Sequence, residues 1–110
     1  MVKKDKDSEK AHLCLKTAWL YRIKGDQENE NKFLTRSLDQ FLKAYEYERL
    51  PVAGLNEPSL MYLIGELYRR LDDNASALKW FSNVIVSRDV SPRIKDMARE
   101  QKDVIRGMSN

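Results

Sequence analysis

Apolar residues recur at helical spacing along most of the chain, and the first such segment begins near Ser8. It ends at Gly25-Asp26, because glycine accepts the left-handed conformation that terminates many helices. Asp7 or Ser8 is predicted to cap its first turn. Apolar residues lie on two sides of this helix, so we expect neighbouring helices to cover both sides. One side carries Ala11, Leu15, Ala18 and Ile23, and the other carries Leu13, Cys14, Leu20 and Tyr21.

The second predicted helix runs from Gln27 to about Glu48 and carries one apolar stripe. Asp26 is placed to cap its first turn. Pro51 and Gly54 then interrupt the helical pattern. The stripe consists of Leu34, Leu38, Phe41, Leu42 and Tyr45.

Three further helices are predicted in the second half of the chain. The third begins near Asn56-Glu57-Pro58, where asparagine can cap and proline suits a first turn. After a turn at Asp72-Asp73-Asn74, a fourth helix spans about Asn74 to Val86. The last starts at Ser91-Pro92 and frays after Gly107. Because no segment shows sustained two-residue alternation, the pattern predicts an all-α fold of five helices.

Size and charge favour one small domain. The chain has 110 residues, of which 1–7 are nearly all charged and are predicted to be disordered, leaving a single helical domain over 8–108. Lysine and arginine total 20 against 17 acidic residues, a balance that argues against a nucleic-acid protein. With no apolar stretch of membrane-spanning length and no secretory signal at the start, we expect a cytoplasmic protein.

The third and fourth helices resemble a tetratricopeptide repeat. That motif has small residues where two helices approach and aromatic residues in the gaps, and the matching positions are Gly65, Tyr68, Ala77, Phe81 and Val84. Gly65 and Ala77 are expected to let the two helix backbones come close. The resemblance implies antiparallel helix pairs stacked as a short right-handed solenoid, with the fifth helix covering its C-terminal end.

The first two helices match the repeat less well. Ala18, Tyr21 and Gly25-Asp26 fit, but Glu30 stands where a small residue is expected. The two turns, at Gly25 and Asp72, are 72 − 25 = 47 residues apart. This separation exceeds the typical period of about 34 residues. We therefore expect the second helix to be longer than in a typical repeat.

Most of the chain also resembles the C-terminal region of an uncharacterised bacterial protein family. Members of that family usually have a cysteine-rich, metal-binding N-terminal part, which this chain lacks. Asp72 and Asn74 replace a glycine and an aromatic residue of the family, which predicts a strained or looser second turn. The resemblance is carried by residues 18–22 (AWLYR), 56–71 (NEPSLMYLIGELYRRL), 77–85 (ALKWFSNVI) and 95–106 (KDMAREQKDVIR).

The sequence offers little for catalysis or for cofactor or metal binding. His12 is the only histidine, and we expect it on the surface. Cys14 is the only cysteine, and side chains two residues apart on a helix point in different directions. A single thiol cannot form an internal disulfide or a cysteine-based metal site. No Gly-rich phosphate loop is present. The chain is therefore interpreted as a non-enzyme that needs no cofactor.

The resemblance to tetratricopeptide repeats implies a protein- or peptide-binding scaffold whose concave groove is formed by the first helix of each pair. This groove would be basic and aromatic, and would favour an acidic partner. Its predicted residues are Trp19, Arg22, Tyr62, Glu66, Arg69, Arg70, Lys95, Arg99 and Lys102.

Simpler interpretations of these residues stay open. Glu66 is placed to form an ion pair with Arg69 or Arg70, and the cations can be ordinary solvated side chains. Trp19 and Trp80 are more simply interpreted as packing residues than as a ligand site. Two other functions also fit the sequence. One is self-association through apolar ends of the helix stack, and the other is RNA or DNA binding by the basic groove.

Overall fold

The computed structural model describes residues 6–47, 56–88 and 90–108, and these contain five α-helices and no strand. The all-α prediction is therefore confirmed for the described part of the chain. The helices are α1 (Lys6–Lys24), α2 (Gln27–Tyr47), α3 (Glu57–Arg70), α4 (Asn74–Ile85) and α5 (Pro92–Met108).

Side-chain caps set the start of four helices. Asp26 accepts a hydrogen bond from the Asn29 backbone N–H at 3.2 Å, and Asn56 accepts one from Ser59 at 3.1 Å. Ser91 accepts from Ile94 at 3.2 Å, so these three of the four predicted caps are confirmed. Asp73 caps α4 through the Ser76 N–H.

The start of α1 differs from the prediction. This helix begins at Lys6, so Asp7 and Ser8 lie inside it, and neither is its N-cap. The predicted disordered segment thus overlaps α1 at Lys6 and Asp7, while residues 1–5 lie outside the described part. The charged composition of this segment did not exclude a helical first turn.

The turn between α1 and α2 and the turn between α3 and α4 each contain a residue in the left-handed region. Gly25 has φ of +79°, and Asp72, the predicted strained residue, has φ of +65°. Glycine adopts this conformation without a Cβ clash, whereas aspartate does so at a cost. Of the two alternatives predicted for the second turn, strain is the one that the structure shows.

The chain divides into two compact units, Met1–Gly54 and Leu55–Asn110. In the N-terminal unit α1 packs against α2. Ala11 and Ala18 of α1 are buried, and the Ser37 hydroxyl donates a hydrogen bond to the Ala11 carbonyl oxygen at 2.9 Å. The buried residues of α2 are Leu34, Ser37, Leu38, Phe41 and Ala44.

One side of α1 departs from the prediction that neighbours cover both its apolar sides. Leu13, Leu20 and Ile23 are exposed. Trp19 is exposed as well, so its interpretation as a packing residue is wrong. Only the side toward α2 is buried, and Ile23, which the sequence grouped with Ala11 and Ala18, is exposed like Leu13 and Leu20.

In the C-terminal unit α3 packs against α4, and α4 packs against α5. Gly65 lies directly under the ring of Phe81, since a Cβ built on Gly65 would be 2.8 Å from Phe81 Cε1. Ala77 is fully buried. The predicted roles of Gly65 and Ala77 as small residues at a close helix contact are therefore supported by the geometry. The other buried residues of this core are Leu60, Met61, Ile64, Leu67, Val84, Ala98 and Ile105.

Candidate functional site

The outer face of α3 carries four of the predicted partner-binding residues. Tyr62, Glu66 and Arg69 are half-buried, and Arg70 is exposed. Positions separated by three, four, seven or eight residues share one side of a helix. These four side chains therefore lie together, on the side of α3 opposite its buried stripe. We call them the α3 face.

Glu66 is the centre of the α3 face. Arg69 Nη2 donates to Glu66 Oε1 at 2.9 Å, and Arg70 Nε lies 3.8 Å from the same oxygen. The ion pair of Glu66 with Arg69 was one of the simpler interpretations of the sequence, and it is present. One carboxylate is thus shared by two guanidinium groups, which leaves the face with a net positive charge. Arg69 Nε is buried without an acceptor in the part of the chain that the structure describes.

Tyr62 connects the α3 face to the core and to α5. Its ring lies 5.3 Å from the Phe81 ring, and its hydroxyl is 3.5 Å from Glu66 Oε2. The Gln101 side chain of α5 lies close enough to the same phenol to influence its pKa. Burial, followed by the negative charge of Glu66, raises the pKa of Tyr62 above its usual value of 10.0. The phenol therefore stays protonated to a higher pH than an ordinary tyrosine does.

The three predicted basic residues of α5 lie on a different side of that helix from Gln101. A helix turns about 100° per residue, so Lys102 is about one quarter-turn from Gln101. Lys95 and Arg99 precede Lys102 by seven and three residues and share its side. Arg99 Nη1 is 3.6 Å from Asp96 Oδ1, and both side chains are exposed. These three cations therefore do not adjoin the edge of α5 that contacts Tyr62.

Trp19 and Arg22, the two remaining predicted site residues, belong to the N-terminal unit and are both exposed. They are three positions apart on α1 and share one side of it. Trp80, the second tryptophan, is half-buried in α4. The two tryptophans therefore have different environments, which the sequence alone did not distinguish.

A groove between α1 and α2 was missed by the sequence interpretation. It encloses about 570 Å³ and is lined by three cations, one carboxylate and several apolar atoms. Gln40 Oε1 in this groove is buried without a donor among the described residues. The basic residues Lys10, Arg36 and Lys43 are visible in the sequence. Which of them face one another, however, is decided by the packing of α1 against α2. The lining residues are Lys10, Leu13, Cys14, Arg36, Asp39, Gln40, Leu42 and Lys43.

His12 and Cys14 do not form a site together. The His12 ring meets the Phe41 ring edge-on at 5.3 Å, so this histidine is half-buried and not the surface residue that the sequence predicted. Cys14 lines the groove just described. No group of three or more potential metal ligands occurs within residues 6–47, 56–88 and 90–108. Within the same ranges, no helix has the length and apolar character needed to cross a bilayer.

Comparison with known proteins gives one match. A family model described as "Uncharacterized protein conserved in bacteria (DUF2225)" matches residues 1–105. Searches of curated proteins and of solved structures found no match to the chain. The match covers nearly the whole chain and agrees with the resemblance to an uncharacterised bacterial family.

Proposed function

The chain belongs to the DUF2225 family of uncharacterized bacterial proteins, and we propose that it is a non-catalytic scaffold that binds an acidic segment of a partner protein. The observation that carries this proposal is the α3 face, where two guanidinium groups share one carboxylate. Arginine presents planar, fixed donors that suit carboxylate recognition. The remaining positive charge of the α3 face attracts an acidic segment.

We also propose that the helices form a tetratricopeptide-like, right-handed solenoid. The support is a repeat between α3 and α5, since Pro58 and Pro92 are 92 − 58 = 34 residues apart. This separation equals the usual period of such repeats. Under the same 34-residue shift, Ile64 corresponds to Ala98 and Leu71 corresponds to Ile105. Buried or half-buried positions of the first segment thus correspond to buried positions of α5. In this arrangement α5 is the first helix of an incomplete pair.

The repeat refines the predicted binding surface. Under the 34-residue shift, Tyr62, Glu66 and Arg69 of the α3 face correspond to Asp96, Glu100 and Asp103 in α5. The equivalent side of α5 is thus acidic, and the positive charge of the binding surface is confined to α3. We therefore assign partner binding to Tyr62, Arg69 and Arg70 and not to the lysines of α5.

The test is a peptide-display selection on the full chain, followed by affinity measurements on the enriched peptides. We expect enrichment of Asp- and Glu-containing peptides, and a loss of affinity of about tenfold or more in R69A/R70A. The matched control is K95A/K102A, which also removes two positive charges but lies on the other side of α5. The control is expected to bind like the wild type.

Two outcomes would contradict the proposed site. Equal losses in both double variants would mean that the peptides respond to net charge alone. A failure to enrich acidic peptides would remove the basis for the proposal. Self-association and nucleic-acid binding remain the alternative functions. A mass of the free chain that increases with concentration would favour self-association. Binding of an oligonucleotide in preference to the peptides, with steep salt dependence, would favour nucleic-acid binding.

A further inference from the structure

The side of α1 that faces away from α2 is largely apolar. Leu13, Trp19, Leu20 and Ile23 lie on it, and their exposed fractions are 66%, 61%, 59% and 70%. The opposite side of the same helix has the buried Ala11 and Ala18. Four large apolar side chains, each more than half exposed on one helix side, are an unusual surface for a small domain.

The spacing of the residues on this side is that of a helix-pairing surface. Leu13, Lys16, Leu20 and Ile23 follow one another at intervals of three, four and three residues. This alternation of three and four is how one helix presents a continuous row of side chains to another. We call these four residues the α1 seam. It extends roughly 15 Å along the helix and matches about three turns of a partner helix.

The charges of α1 indicate what kind of helix fits. Lys16 lies in the middle of the seam, is exposed, and has no ion pair among the residues that the structure describes. From position 10 to position 24 the helix contains Lys10, Lys16, Arg22 and Lys24 and no carboxylate. The groove beside Leu13 adds Arg36 and Lys43 against one carboxylate, Asp39. The seam and its border are therefore positively charged.

We propose that the α1 seam docks an amphipathic helix of a partner protein that places a carboxylate against Lys16. Apolar residues of that helix would cover Leu13, Leu20 and Ile23, with Trp19 packing along its edge. A carboxylate facing Lys16 would fix the register of the two helices, as single polar positions do in helix pairs. This surface belongs to the N-terminal unit and shares no residue with the α3 face.

Two other occupants fit the seam less well. A second copy of this chain would bring two sets of four cations together, and like charges in an interface are unfavourable. An anionic bilayer would bury a continuous apolar side and leave cations at its borders. Lys16 is instead in the centre of the apolar side, a position that suits a specific carboxylate.

The test uses the full chain and two synthetic 21-residue amphipathic peptides. Both have leucine at the seam-facing positions; one has glutamate at the position opposite Lys16 and at the flanks, and the other has lysine there. Isothermal titration would compare the wild type with K16E and K32E. Lys32 is exposed on α2, so K32E is a charge-matched control in the same unit. We expect the wild type to prefer the acidic peptide and K16E to lose about tenfold in affinity for it.

The charge exchange is the decisive part of this experiment. The K16E variant should gain affinity for the lysine peptide, whereas K32E should behave like the wild type toward both peptides. Equal binding of both peptides to the wild type, or equal effects of K16E and K32E, would overturn the proposal. Two further results would overturn it. One is a dimer of the free chain that the L20S/I23S variant no longer forms. The other is sedimentation of the chain with phosphatidylglycerol vesicles that the L20S/I23S variant no longer shows. The R69A/R70A variant changes the α3 face and leaves the α1 seam intact. A failure of the α3 site can therefore be distinguished from a failure of docking on the α1 seam.

Discussion

The two units bury their helices in different ways. In the N-terminal unit, the buried residues of α1 are small, Ala11 and Ala18, and the large buried side chains, Leu34, Leu38 and Phe41, all belong to α2. In the C-terminal unit a large ring, Phe81, fills the space over a glycine, and a third helix packs on α4. A pair of helices buries only one side of each, so an additional apolar side stays exposed. The exposed side of α1 is therefore a consequence of having two helices in that unit.

The largest effect is expected for Phe81→Ala. Phe81 is fully buried and packs on both Gly65 and Tyr62, so its removal should lower the free energy of unfolding by about 3–5 kcal/mol. Phe33 in the N-terminal unit is only half-buried, stacked on Tyr21 at 5.6 Å. Phe33→Ala should therefore cost less than half as much. Urea denaturation followed by circular dichroism measures both, and equal losses would show that the burial of a phenylalanine ring does not determine its contribution here.

Gly65→Ala should be the next most damaging change. The added methyl group would meet the buried Phe81 ring, and such overpacking costs about 1–3 kcal/mol, against a helix-propensity gain of about 1 kcal/mol. Gly107→Ala is the matched control, because a Cβ at that helical position meets nothing within 4 Å. It should be neutral or slightly stabilising.

A double-variant cycle sharpens this result. If the cost of Gly65→Ala comes from the Phe81 ring, it should be smaller in the Phe81→Leu background. The same cost in both backgrounds would mean that the ring is not what makes glycine necessary.

The two turns should respond in opposite directions to glycine exchange. Gly25→Ala puts a Cβ at φ of +79° and should destabilise the chain by about 1 kcal/mol. Asp72→Gly relieves the positive φ of a non-glycine residue and should stabilise it, by at most about 1 kcal/mol. Thermal denaturation of the two variants beside the wild type measures these shifts. Destabilisation by Asp72→Gly would show that the aspartate contributes more than its strain costs.

The smallest effect concerns the Asp26 cap and depends on pH. Hydrogen bonds from the Asn29 side chain, and then from the Asn29 backbone, lower the pKa of Asp26 below its usual value of 3.8. Because the folded-state pKa is the lower one, this carboxylate stabilises the fold above pH 3.8. That contribution is lost as the pH falls through the folded-state pKa. The wild type should therefore lose more stability than Asp26→Asn between about pH 6 and about pH 2, and parallel pH profiles would contradict this.

Local features were predictable from the sequence because they depend on neighbours along the chain. The caps at Asp26, Asn56 and Ser91 and the strained turn at Asp72 belong to this class. Gly65 was also predicted at a close helix contact, since a glycine inside an apolar helix usually has a packing role that offsets its low helix propensity.

Features that depend on which helix lies opposite were not predictable. The apolar pattern of α1 gave no means of knowing that Trp19 and Leu20 would remain exposed. Which side of α5 lies near Tyr62 is also decided by tertiary packing, and the sequence of α5 does not indicate that Gln101 is the neighbour. The groove between α1 and α2 likewise exists only through the packing of two separate segments.

The most direct test uses the two tryptophans, because each reports on a different unit. Trp19 is exposed beside the α1 seam, and Trp80 is half-buried in α4. In an NMR titration of the ¹⁵N-labelled full chain with the acidic amphipathic peptide, the indole N–H signal of Trp19 should shift as the peptide binds. The signal of Trp80 should stay in place. A shift of Trp80 with Trp19 unchanged, or no shift of either signal, would contradict helix docking on α1.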